Sequence, residues 1–161
     1  MARREKLQPS SHINLCFSDE QHLLGVKMLR TFAALEDLLN PVLIRARNAG
    51  LECDGMTNVF HAVLTQHQVA HTVYCGHMVA GERCIRPHFW IELATADRPL
   101  VRLDGAARMW LGPSASIPDG LVDPVQYPGV AYVGSPIALE VLPQVFVDIL
   151  LTPLPVVWTA A

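Results

Sequence analysis

The hydrophobic period changes at residue 69, and that change constrains the fold more than any other feature of the chain. Before it, Met56, Val59, Phe60, Val63 and Leu64 recur at three- and four-residue steps, the spacing of one apolar face on an α-helix. This predicts a helix over 54–68. After it, Thr72-Val73-Tyr74-Cys75-Gly76-His77-Met78-Val79-Ala80 is rich in β-branched and aromatic residues, which suit a strand. Gly76 in the middle of that run predicts a bulge or a close approach of another backbone. Residues 88–93 and 100–104 are two further strand-like runs, reached through a turn at Gly81-Glu82-Arg83 and a polar connection at residues 95–99. Strands with short links form an antiparallel meander, and its apolar face is expected to lie on the helix. The fold class expected is therefore α+β.

The flanking segments extend this plan. Ser18 is a candidate N-cap, with Asp19 and Glu20 in the first turn, where acids suit the helix dipole. Leu24, Met28, Phe32, Leu35 and Leu39 then make one apolar stripe. Asn40-Pro41 reads as the cap and first residue of a second, shorter helix, which Gly50 stops. Residues 1–17 read as a flexible polar tail in which Ile13, Leu15 and Phe17 could dock as an edge segment. Residues 111–135 are rich in Pro, Gly and Ser with no periodicity and read as one long loop, a candidate wall of a cleft. Pro136 to Leu151 reads as a short helix followed by a strand, and Pro153 and Pro155 make the end extended. The whole chain of 161 residues fits one domain, with 51–110 as its core.

Composition excludes several classes of function. Apolar residues make up 51% and charged residues 17% of the chain, enough to bury a sizeable core. A net charge of −3 with a pI near 6.1 lacks the basic footprint of a nucleic-acid binder. The apolar stretch Val145–Ala161 is interrupted by Asp148, Pro153 and Pro155, short of the ~18 apolar residues of a membrane span. No apolar run of leader length follows the basic start, so a cytoplasmic location is expected. Cys16, Cys53, Cys75 and Cys84 form no C-x-x-C pair and read as free thiols. Cys75, His77, Cys84 and His88 are metal-ligand types, but their spacing matches no common zinc pattern, so no metal is expected.

Three residues carry the candidate chemistry. Cys53 stands at or just before the N-terminus of the predicted helix, where unpaired N–H groups and the dipole stabilise a thiolate and can hold a developing oxyanion. His88 opens the second strand and Asp104 ends the third. A carboxylate on the strand beside a histidine can accept its Nδ1–H and fix its tautomer. His88, Trp90 and Glu92 alternate onto the less apolar face, while Phe89, Ile91 and Leu93 face the core. Glu52, Asp54, His77 and Trp90 are the candidate cleft residues. Asn48 lies upstream of the cysteine, but neither its identity nor its offset marks it as an oxyanion-hole side chain.

These motifs resemble the transglutaminase-like branch of the papain-like cysteine protease superfamily. That branch has a cysteine heading a helix, a strand like Val69–His77, an H-x-W-x-E strand like His88-Phe89-Trp90-Ile91-Glu92, and a strand ending in aspartate like Leu103-Asp104. The resemblance runs from Cys53 to Asp104, about a third of the chain. It implies a papain-like core in which N-terminal helices and the cysteine helix pack on an antiparallel sheet. It also implies Cys53 as nucleophile, His88 as general base and Asp104 as orienting carboxylate. The implied activity is acyl transfer on a protein or peptide amide through an acyl-thioester, with no organic cofactor. Glu52 stands where a small or polar residue is common, Asp54 where the crosslinking enzymes have an aromatic, and His77 where tyrosine is frequent. These departures favour a hydrolase or deamidase over a crosslinking enzyme. Glu52-Cys53-Asp54-Gly55 is also similar to the D-C-S-G start of NlpC/P60 cell-wall peptidases, which leaves a cell-wall amidase as an alternative. A non-catalytic binding module on the same fold is the other.

Overall fold

The structure, a computed structural model, describes residues 30–153. The expected tail, the Ser18 helix start and the segment at Pro155 lie outside these residues. Helix α1 (Phe32–Asn48) begins at Thr31, whose side chain accepts the N–H of Ala34. It runs unbroken through Pro41, so the expected restart at Asn40-Pro41 is not present. Leu35, Leu39, Leu43 and Ala46 are all buried along one stripe, and a break at residue 41 would split it. Pro41 is exposed, so the N–H that proline lacks is missing on the solvent side. A proline inside a helix costs about 3 kcal/mol, which three buried leucines at roughly 1.5–3 kcal/mol each offset.

Helix α2 (Cys53–Gln66) follows, and the predicted stripe Met56, Val59, Phe60, Val63 and Leu64 is buried in full. Strands β1 (His71–Ala80), β2 (Arg83–Leu93) and β3 (Val101–Asp104) form the expected meander. The first hairpin is longer than the sequence suggested, because β2 starts at Arg83 and the turn narrows to Gly81-Glu82. The region read as one long loop is largely ordered structure. Helix α3 (Ala107–Leu111) leads into it, and it holds strand β4 (Gly120–Val122), a 3-10 turn at Pro124–Gln126 and most of strand β5 (Val130–Ile137). Helix α4 (Gln144–Leu150) comes after that strand, reversing the expected order of helix then strand. The result is α+β, with helices packed on an antiparallel five-stranded sheet of order β4-β3-β2-β1-β5. Among the described residues no helix is long and apolar enough to cross a membrane.

One side of the sheet forms the main core. Val73, Ile91, Leu93, Val101, Leu103 and Leu121 are buried with the apolar stripes of α1 and α2. The alternate set on β1, β2 and β3 is the one that builds the site, and the sheet curls around it. Tyr132 of β5 bonds Asp104 of β3, although β1 and β2 lie between their strands. In a flat sheet these strands would be roughly 14 Å apart, three spacings of about 4.8 Å.

The curl begins at the predicted glycine. The β1–β2 register slips between Gly76 and Met78, and Gly76 pairs across β1–β5 with Gly134. A Cβ on Gly76 would run into the carbonyl of Val133 and the Cα of Gly134, while one on Gly134 would lie 2.6 Å from the Trp90 ring. Bulges bend strands and increase their twist. Gly76→Ala is therefore expected to push β5 off β1 at a cost of about 3 kcal/mol or more, a Tm drop on the order of 10 °C. Differential scanning calorimetry reads this directly; an unchanged Tm would remove the close approach as a determinant of the fold.

Candidate active site

Cys53 is the first residue of α2, and Glu52 at the N-cap makes no side-chain cap bond. The first N–H groups of a helix have no acceptor within it; here that of Gly55 donates to Asp54 Oδ1 at 2.8 Å, which leaves those of Cys53 and Asp54 beside the sulfur. The Cys53 side chain lines a cavity of about 450 Å³ whose wall includes Glu52, Asp54, Cys84, Arg86, Phe89 and Trp110. Trp110 is over half exposed at its edge. Of the four expected cleft residues, Glu52 and Asp54 are therefore in place. His77 is on β1 opposite Val133 of β5 and does not line this cavity.

Trp90 does not line it either, because it is 2% exposed. It does share a face with His88, as the alternation predicted, but that face is covered. Tyr74 stacks on the Trp90 ring at 5.5 Å and Tyr132 packs on it at 5.1 Å. His88 lies 6.1 Å from the same ring. The aromatic cluster thus fixes the imidazole from the side.

His88 and Asp104 are both fully enclosed, and the His88 Nε2 to Asp104 Oδ2 distance is 2.7 Å. The sequence expected the carboxylate at Nδ1, and the ring is oriented the other way. His88 sits on β2 near the pairing of Ile91 with Leu103, and it reaches Asp104 on β3 with the far nitrogen of the ring. Nδ1 is then the nitrogen left over. Among the described residues it is the buried side-chain polar atom without a hydrogen-bond partner, which in a native interior calls for an explanation. The Cys53 side chain is close enough to act on the charge of the ring, although no hydrogen bond joins it to Nδ1. Burial pushes the imidazole toward its neutral form, but the Asp104 bond and the Cys53 sulfur outweigh it and raise the His88 pKa to about 9. His88 is accordingly protonated near neutrality.

Asp104 is held on every side. Oδ1 accepts the N–H groups of Ala106 and Ala107 at 3.0 Å each, and Oδ2 accepts from the Tyr132 hydroxyl at 2.7 Å as well as from His88. The same aspartate thus serves as the turn-former leading into α3 and as the partner of the histidine. Among the described residues no group of three or more His, Cys, Asp or Glu is placed to hold a metal ion.

Comparisons with protein-family models, curated proteins and solved structures find no match for this chain. What the site can do therefore has to be argued from its own geometry. That geometry includes two residues the sequence did not single out, Tyr132 and Arg86, and one, Cys84, that it weighed only as a free thiol or metal-ligand type. Tyr132 carried a local signal, since Val130-Ala131-Tyr132-Val133 alternates and is bounded by Gly129 and Gly134. Its surroundings of proline and glycine obscured it.

Proposed function

We propose that the protein is a thiol-dependent acyl-transfer enzyme that hydrolyses or deamidates protein or peptide amides, on a papain-like, transglutaminase-like core. The observation that carries this reading is the buried Nδ1 of His88, with Asp104 on the opposite nitrogen and the Cys53 sulfur beside the ring. A thiol, a base and a carboxylate that orients the base are the parts such chemistry needs.

The steps follow from these positions. The His88 ring already carries its proton, so Cys53 acts as the thiolate of a thiolate–imidazolium pair and attacks the amide carbonyl of a substrate lying in the cavity. The developing oxyanion is stabilised by N–H groups at the start of α2. The tetrahedral adduct collapses as the His88 imidazolium gives its proton to the leaving amine, which departs and leaves an acyl-thioester on Cys53. Neutral His88 then takes a proton from water, the resulting hydroxide attacks the thioester, and the carboxylic acid leaves as the Cys53 thiolate is reformed beside the His88 imidazolium. Asp104 stabilises the imidazolium in both halves.

The test uses a neutral alkylating reagent at limiting dose, with the adduct located by peptide mass spectrometry. Cys53 is expected to be modified ahead of Cys75 and Cys84 near pH 7, even though Cys84 is exposed and Cys53 is buried. Modification ordered by exposure instead, with Cys84 first, would sink the reading.

A further inference from the structure

We propose that Tyr132 is a positioning residue, which sets how strongly Asp104 holds the His88 proton; this rests on the reading of Cys53 and His88 given above. Two donors share Asp104 Oδ2, the His88 ring and the Tyr132 hydroxyl, each at 2.7 Å. Each bond to an ionised oxygen draws on the same charge, so the phenol weakens the hold of the carboxylate on the imidazolium. Oδ1 is engaged by two backbone N–H groups, so the carboxylate cannot rotate to offer His88 a less burdened oxygen.

The phenol is arranged to be a strong donor that keeps its proton. Burial, followed by the charge of Asp104, raises its pKa far above that of an ordinary tyrosine. The Arg102 guanidinium lies 4.6 Å from the ring centre, and Glu92 holds it there through a 2.8 Å bond. A cation over the face withdraws charge from the ring and makes its hydroxyl a better donor. Trp90 packs on one side of the tyrosine and donates its own N–H toward Glu92 at 3.4 Å. Around the histidine, then, Cys53 approaches from α2, Asp104 from β3 and Tyr132 from β5, with Arg102 and Glu92 behind. Packing alone would be served by phenylalanine at 132; only the hydroxyl reaches Asp104.

The experiment is an NMR titration of the His88 ring in the full chain. Tyr132→Phe frees Oδ2 for His88, and the midpoint of the histidine is expected to rise by about one pH unit, a tenfold gain in proton affinity. A ring-fluorinated tyrosine at 132, a stronger donor of nearly the same size, is expected to lower it. If Tyr132→Phe does not fold, the fluorinated form decides alone. Midpoints unmoved, or moved in the opposite directions, overturn the proposal and leave Tyr132 as packing. The two readings fail separately. If His88→Gln leaves the pH profile of Cys53 alkylation unchanged, the thiol–imidazole reading fails, whatever Tyr132 does to the histidine. If His88→Gln shifts that profile and the Tyr132 forms leave the His88 midpoint in place, only the role of Tyr132 is lost.

Discussion

Cys53→Ala is expected to leave no turnover of peptide amides above the uncatalysed rate, and His88→Ala to lower turnover by about 10²–10⁴-fold. That range is the usual contribution of a positioned acid–base group. On the proposed mechanism the cysteine variant is the more severe, because it loses the atom that carries the acyl group; Cys84 is the second thiol in the cavity. Groups that act as one unit are not additive, so the double variant should be no slower than Cys53→Ala alone. Release of amine or ammonia from a panel of acyl-glutamine and acyl-leucine peptides measures the rate. Intact mass after acid quench reads the acyl-enzyme. An acyl adduct mapped to Cys84, or undiminished turnover in Cys53→Ala, would move the chemistry away from α2.

How far the site was legible beforehand depended on how local each signal was. The α2 stripe and the Gly76 irregularity are written in consecutive residues, and both are found where the periodicity put them. The order of helix and meander followed from the same switch of period, and it was enough to bring His88 and Asp104 onto neighbouring strands. Pro41 misled because a rule about helix starts was weighed without the buried stripe that overrides it. Strand β5 was obscured by Gly134 and Pro136. Proline is tolerated at the edge of a sheet, where its missing N–H faces no partner, and β5 is an edge strand. Trp90 shares a face with His88 as alternation requires, yet whether that face is open depends on β5 folding back over it. The contact of Tyr132 with Asp104 spans 28 residues of chain. It follows from the curl of the sheet, which no local pattern encodes. The ring orientation of His88 is of the same kind, set by where Asp104 and Cys53 stand and not by the residues beside it.

Asp104→Ala is expected to destabilise the protein by about 3–5 kcal/mol near neutral pH, the usual cost of removing one partner of a buried ion pair. The imidazolium, the Tyr132 hydroxyl and two backbone N–H groups would lose their acceptor together. The same pair makes stability depend on pH, and the sign follows from the histidine. Its pKa is raised from 6.5 to about 9 in the folded chain, so folding favours the protonated ring. The resulting stabilisation is fully present below pH 6.5 and is lost as pH rises through about 9. A rise of this size corresponds to roughly 3 kcal/mol. Urea unfolding from pH 6 upward should therefore show wild-type stability falling across that window. Asp104→Asn keeps the shape but removes the charge that sustains the raised value, so its profile should be much flatter there. Parallel profiles for the two proteins, or a wild-type stability that climbs between pH 6.5 and 9, would mean that His88 does not hold its proton through Asp104.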